Sequence, residues 1–141
     1  LYHPVNNEIN PLSLMEYLNT KNKTTCLPMV VNEKQPLIFK PWRPGKKMVI
    51  GHYGISVPDN DQTLIPDLII CPLLAYDSKG MRLGYGGGFY DRTIKYLRRN
   101  KRVKYIGLAF SGQKSYHDLP SEVHDVPLDA VLTETGMDYF K

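Results

Sequence analysis

The sequence predicts an α/β fold, a three-layer α/β/α sandwich around a mostly parallel or mixed central sheet. Three observations carry that expectation. In "DLIICPLLAYD", Leu68 to Ala75 form an almost unbroken apolar run, the pattern of a central strand buried on both faces. A second apolar segment, "VKYIGLAF", comes after "FYDRTIKYLRRN", which would place Ile94 and Leu97 on one side of a helix. Strand, loop, helix, strand in that order is how a sheet covered by helices is written along a chain.

The elements follow in order. "INPLSLMEYLNTKNK" reads as a helix, with Asn10 as its cap, Pro11 at the first helical position, and Leu14 and Leu18 on one face. "TTCLPMVV" and "PLIFKPW" read as strands on either side of the polar "NEKQ", so a hairpin or neighbouring strands are expected. "RPGKKM" is a turn, and "HYGISVPDNDQ" reads as loop. The apolar run comes next, then a glycine-rich loop, the second helix and the strand "VKYIGLAF". "SYHDLPSEVHDVPLD" is a long polar loop, and "AVLTE" is a last short strand. No repeat or linker interrupts the 141 residues, so one domain over residues 1–141 is expected.

Composition narrows the function classes. Apolar residues make up 42% and charged residues 23%, ordinary values for a soluble globular protein. No run is long enough for a membrane span, and "LYHPVNNEINP" lacks the basic start and apolar core of a signal peptide. Cys26 and Cys71 stand far apart in apolar surroundings, which points to a reduced, cytoplasmic protein rather than a disulfide scaffold. The four histidines form no metal-binding pair. A net charge of +4 suits an anionic small molecule without requiring nucleic acid. The basic run "KYLRRNKRVK" reads as a solvated helix end that complements the macrodipole; a nucleic-acid patch is the alternative, weakened by the scarcity of stacking aromatics there.

"RLGYGGGFYDR", Arg82 to Arg92, puts four glycines at positions 84, 86, 87 and 88. Residues without a Cβ can turn sharply and direct several N–H groups at one point. Such a nest ahead of a helix N-terminus suits phosphate, with Arg82 and Arg92 available to add guanidinium contacts. A plain structural turn remains the competing reading, since the spacing matches neither GxxxxGK[ST] nor GxGxxG. Tyr85, Phe89 and Tyr90 could stack on a flat ring or pack the helix onto the sheet. Asp91 could charge the first helical turn or hold Mg²⁺. A second carboxylate could come from Asp125 or Asp129, and spacing does not choose between them.

With these residues in view, "DLIICPLLAYDSKGMRLGYGGGFYDR" and the downstream "HDVPLDAVLTE" closely resemble the 5-formyltetrahydrofolate cyclo-ligase (5,10-methenyltetrahydrofolate synthetase) family. The resemblance runs from Tyr2 to Thr133, and its RLGxGxGxYD core is specific. It implies an α/β sandwich that converts 5-formyltetrahydrofolate to 5,10-methenyltetrahydrofolate with ATP and Mg²⁺. The formyl oxygen would be phosphorylated and N10 would close the ring. A cytoplasmic monomer without nucleic-acid or membrane partners is expected, and a polyglutamate tail on the folate would account for some of the basic excess.

Residue roles are implied in the same way. Arg82, Leu83, Gly84, Tyr85, Gly86, Gly87, Gly88, Phe89 and Tyr90 match the ATP-phosphate loop. Within it, Tyr85, Gly86, Gly87, Gly88 and Phe89 also match positions that face the folate. Asp91 and Asp125 match the Mg²⁺-binding aspartates, and Arg82, Tyr85 and Asp91 are the expected catalytic set. Glu8 and His3 match folate contacts, and Trp42 with "GHYGISVP" is expected to wall the pocket. Three departures stand out. Gly87 occupies a position where many members carry lysine. Val57 replaces a carboxylate in the pattern GIPEP. The family has a basic N-terminal helix that contributes Lys and Arg to ATP and folate, and this chain is expected to begin after it, the segment being either omitted or missing from a truncated product. These departures motivate an alternative, a folate- or nucleotide-binding remnant with impaired catalysis.

Overall fold

In the computed structural model, which describes residues 1–140, Asn10 and Pro11 set the start of helix α1 (Leu12–Thr20). The Asn10 Oδ1 accepts the Leu12 N–H at 2.9 Å. The Pro11 carbonyl accepts the Met15 N–H at 3.0 Å, and proline's missing N–H costs nothing at a helix start. The helix ends where Asn22 turns left-handed, with φ 56°, and the Lys23 N–H reaches back to the Leu18 carbonyl at 2.9 Å. Asparagine takes here the place that glycine more often fills. Leu14 and Leu18, the expected packing face, are half-buried, while Met15 is fully buried. The helix is thus rotated from the expected face: Met15 joins Leu27 and Trp42 in a core cluster, and Leu12, three residues before it, packs alongside.

The chain divides into two compact units, Leu1–Pro66 and Asp67–Lys141. In the first, β1 (Thr25–Met29) and β2 (Ile38–Trp42) form the expected antiparallel hairpin, in register from Thr25 opposite Trp42 to Met29 opposite Ile38. Thr25 satisfies its buried hydroxyl by donating to the Trp42 carbonyl at 2.9 Å and accepting from Asn19 Nδ2 at 2.8 Å. That pair of bonds ties α1 to the hairpin without leaving an unpaired polar group in the core. The segment expected to be loop instead takes part in a second hairpin, β3 (Met48–Ile50) against β4 (Ser56–Pro58), closed by a single 3-10 turn at His52–Gly54. Three-residue strands are too short to display a period-two alternation, which is why this stretch reads as irregular.

In the second unit β5 (Leu68–Pro72) is followed by the small hairpin of β6 (Ala75–Tyr76) and β7 (Arg82–Leu83), then by α2 (Phe89–Leu97) and β8 (Lys104–Leu108). β9 (Ala130–Thr133) and β10 (Gly136–Tyr139) complete it. The four-stranded sheet has the order β10-β9-β8-β5. β5–β8 and β8–β9 are parallel, and β9–β10 is antiparallel, so the sheet is mixed and the fold is α/β. The crossover from β5 to its parallel partner β8 contains α2, as a parallel connection requires. This helix buries Thr93, Ile94 and Leu97.

Two expectations need correction. The apolar run is interrupted between Pro72 and Ala75, and β5 ends the hydrogen-bonded order instead of lying at its centre. Ile69, Ile70 and Cys71 are nonetheless buried, because a strand needs covering on its faces, not two paired neighbours, to be wholly apolar. "AVLTE" is also not the last strand: the chain turns after Thr133 and returns as β10. "GMDY" carries one methionine and one tyrosine among turn and charged residues, too weak a pattern to read as a strand.

Candidate active site

The glycine loop is reached through a hairpin that a buried carboxylate holds. Asp77, 1% exposed, accepts the N–H groups of Lys79 and Met81 on Oδ1 at 2.9 and 3.0 Å, and that of Leu119 on Oδ2 at 2.9 Å. One side chain thereby shapes the turn between β6 and β7 and fastens the long polar loop to it. The Leu74 N–H donates to the Leu83 carbonyl at 2.8 Å. The hairpin thus returns the chain to the C-terminal end of β5, where ligand loops of α/β sheets commonly start. The glycine loop therefore does not leave β5 directly; the intervening hairpin keeps it at that strand's end by doubling back.

Arg82, on β7, lies under the loop. Its Nη2 donates to Asp91 Oδ2 at 3.0 Å in an ion pair whose side chains are only 9% and 14% exposed. Its Nε donates to the Tyr105 hydroxyl, and the guanidinium stacks over the rings of Tyr90 and Tyr105, 5.6 and 5.8 Å from their centroids. Burial works against the Arg82 charge, but the hydrogen-bonding Tyr105 oxygen and the Asp91 carboxylate offset it and hold its pKa above the usual arginine value. Burial pushes the Tyr105 phenol well above its ordinary value. Burial likewise raises the Cys71 thiol. The group is a buried cation with one anion and neutral hydroxyl and thiol neighbours.

Asp91 uses both oxygens. Opposite the Arg82 contact, Oδ1 accepts the Val126 N–H at 2.9 Å, so the first turn of α2 is tied to the residue next to Asp125. Asp125 is half-buried and accepts the Glu122 N–H on Oδ2 at 2.8 Å. Asp129, the alternative left open by spacing, has another task. Its Oδ2 accepts the Tyr105 backbone N–H at 2.7 Å and an Arg98 Nη2 donor at 2.8 Å, which binds the end of α2 to β8. The chain therefore brings Arg82, Asp91 and the Asp125–Val126 segment together and commits Asp129 elsewhere.

The loop itself requires glycine for two distinct reasons. At Gly84 a Cβ would stand 2.5 Å from Arg82 Nη1, so only a bare Cα lets the guanidinium pass beneath. At Gly88 the backbone is left-handed, φ 64°, where α2 begins, and no side chain caps that helix. Gly86 and Gly87 are exposed, as is Tyr85 at 58%. Leu83 is also exposed, while Phe89 and Tyr90 are half-buried. Arg92 reaches back from α2 so that Nη1 donates to the Gly87 carbonyl at 3.0 Å, with its guanidinium 5.0 Å over the Phe89 ring. The aromatics thus divide: Phe89 and Tyr90 lie under arginines, and Tyr85 faces outward.

The remaining expected residues belong to the first unit. Glu8 is half-buried, and its Oε2 accepts the Val5 N–H at 2.8 Å, closing a turn in which the Glu8 N–H donates to the Val5 carbonyl at 3.1 Å. His3 is half-buried beside Tyr2, whose hydroxyl donates to the Ile9 carbonyl at 2.7 Å. Trp42 and Val57 are buried at 9% and 5% exposure, Trp42 within the core cluster. Two residues of the arrangement around the loop escaped the sequence reading, Asp77 and Tyr105. Tyr105 sits in an apolar strand and reads as core; Asp77 reads as an ordinary turn residue. Neither carries a local signal of its long-range partner.

Among the described residues no helix is long and apolar enough to cross a membrane. Comparisons with known proteins agree on one family. The model of the 5-formyltetrahydrofolate cyclo-ligase family matches residues 1–134. The chain is similar to 5-formyltetrahydrofolate cyclo-ligase of Haemophilus influenzae, with 38% identity over 138 residues, 94% of this chain and 73% of that protein. It is also similar to the Escherichia coli K12 enzyme of the same name, with 35% identity over 132 residues, 89% and 71% of the two chains. Among solved structures, the Aquifex aeolicus 5,10-methenyltetrahydrofolate synthetase superposes with a TM-score of 0.77 at 28% identity, covering 99% of this chain and 70% of that one. Motif, fold and relatives converge, and the chain belongs to the 5-formyltetrahydrofolate cyclo-ligase family.

Proposed function

We propose that the chain converts 5-formyltetrahydrofolate to 5,10-methenyltetrahydrofolate in a reaction that depends on ATP and Mg²⁺. The observation that carries this reading is the buried Arg82–Asp91 pair beneath a glycine loop, with Asp91 bonded to the residue beside Asp125. The donor chemistry fits the proposed ligands. Asp91 and Asp125 offer hard carboxylate oxygens of the kind Mg²⁺ prefers, and they would hold it. Exposed Gly86 and Gly87, with left-handed backbone at Gly86 and Gly88, leave room at the start of α2 for phosphate oxygens.

When bound, MgATP would supply the phosphoryl group that activates the formyl oxygen for ring closure by N10. The chain's own part is positioning and charge neutralisation, which dominate phosphoryl transfer. Arg82 holds fixed positive charge under the loop and orients Asp91. Arg92 holds the Gly87 carbonyl and covers Phe89. Tyr85 offers a ring to a pterin, and Glu8 and His3 serve as folate contacts in this reading.

The test is turnover of 5-formyltetrahydrofolate, followed by the absorbance of the methenyl product, with ATP and Mg²⁺ each omitted in turn. Turnover that needs both, and that disappears in Asp91→Ala, is the expected result. Turnover without ATP would refute the reading. Folate binding by calorimetry with no turnover would favour the remnant.

A further inference from the structure

The Arg82 guanidinium is held on three sides, and one of them comes from a strand outside the glycine motif. Nη2 is bonded to Asp91 at 3.0 Å, Nη1 fills the space that a Cβ on Gly84 would need, and Nε donates to the hydroxyl of Tyr105 on β8. Tyr105 cannot follow the arginine if it swings. Its side chain is fully buried, its backbone N–H is fixed by Asp129 at 2.7 Å and its carbonyl accepts the Asp129 N–H at 2.8 Å. The phenol is therefore anchored in the sheet, and the guanidinium orients to it.

We propose that Tyr105 is a positioning residue for the nucleotide end of the site: its hydroxyl accepts the Arg82 Nε–H and so fixes the guanidinium plane that passes under Gly84 and holds Asp91. A planar fork is defined by two anchored N–H directions. With Nε and Nη2 both engaged, the plane has one orientation; with Nη2 alone, the guanidinium can pivot about the carboxylate. A pivot moves Nη1 from beneath Gly84 and turns Asp91, although nothing in the loop has been altered. Chain and ring are retained in Tyr105→Phe, which removes only the oxygen.

The inference rests on the ATP reading above, and its test separates the two. MgATP binding is measured by calorimetry, and KM for both substrates by turnover. Tyr105→Phe should weaken MgATP binding by about 10-fold, the order of one hydrogen bond to a charged group, while KM for 5-formyltetrahydrofolate stays within about twofold. Because the tyrosine acts through the arginine, Tyr105→Phe combined with Arg82→Lys should lose no more than Arg82→Lys alone. By ¹⁵N NMR the Arg82 Nε–H of the parent should exchange slowly with solvent, and that protection should fall in Tyr105→Phe. Parental MgATP affinity in Tyr105→Phe, additive losses in the double variant, or rapid Nε–H exchange in the parent would each overturn the proposal. A parent chain that does not bind MgATP would defeat the ATP reading and the nucleotide role of Tyr105 with it, while the exchange rate would still report the Tyr105 hold on Arg82.

Discussion

Replacing Asp91 by alanine removes the carboxylate paired with a cation whose side chain is 9% exposed, and the consequence for stability can be worked from that geometry. Breaking one side of a buried ion pair costs about 3–5 kcal/mol, because the remaining charge stays desolvated. The Val126 N–H loses its acceptor at the same time, which adds about 1 kcal/mol. A net loss of roughly 5 kcal/mol lowers the melting temperature by about 10–20 °C for a chain of this size. Urea denaturation and a thermal melt at neutral pH measure both quantities. The companion variant Arg82→Met/Asp91→Leu replaces both charges with apolar groups of similar bulk, and such exchanges are commonly neutral or stabilising. It should recover most of the lost stability and remain unable to turn over substrate. A loss below about 1 kcal/mol in Asp91→Ala would place the pair with exposed salt bridges and refute the claim that it organises the loop.

Further outcomes follow from the loop and from one exposed carboxylate. Gly86 adopts φ +90° with open space around it, so Gly86→Val strains the backbone by about 1–2 kcal/mol without any clash, and MgATP titration should show lost affinity. In Gly87→Lys the new Cβ would stand 2.8 Å from the Phe89 ring; the variant should melt earlier by an amount matching about 1–3 kcal/mol of overpacking. That cost should shrink in a Phe89→Ala background. Glu134 accepts the hydroxyl and N–H of Ser111, which hold its pKa below the ordinary glutamate value. Because the folded value is depressed, its contribution is present above the unfolded pKa and is lost as pH falls through the folded one. An NMR titration should find the Glu134 carboxylate protonating below about 4.5, and Ser111→Ala should move that midpoint upward; an unmoved midpoint would refute the cause.

Much of this molecule is legible along its chain because the responsible forces are local. Asn10 and Pro11 start a helix with bonds that span two and four residues. The strands of β1, β2 and β8 announce themselves by apolar content. The run of glycines marks a backbone that must bend, and "RLGYGGGFYDR" with "HDVPLDAV" was specific enough to indicate a family that the comparisons bear out. Short elements were not legible: β3, β4, β6, β7 and β10 have two to four residues each, fewer than any periodicity needs.

What the sequence by itself determined is the chemistry present at the loop: glycines, two arginines, an aspartate and a second aspartate downstream. Only the tertiary structure decided which atoms meet. It commits Asp129 to β8 and the end of α2 through Tyr105 and Arg98, leaving Asp125 next to the residue that bonds Asp91. It also puts Tyr105 against Arg82 across 23 residues of chain and spends Asp77 on a loop 42 residues away. The reason is physical. A buried charge must find its partners wherever the fold supplies them, and that supply depends on strand order and register, which no short stretch of sequence encodes.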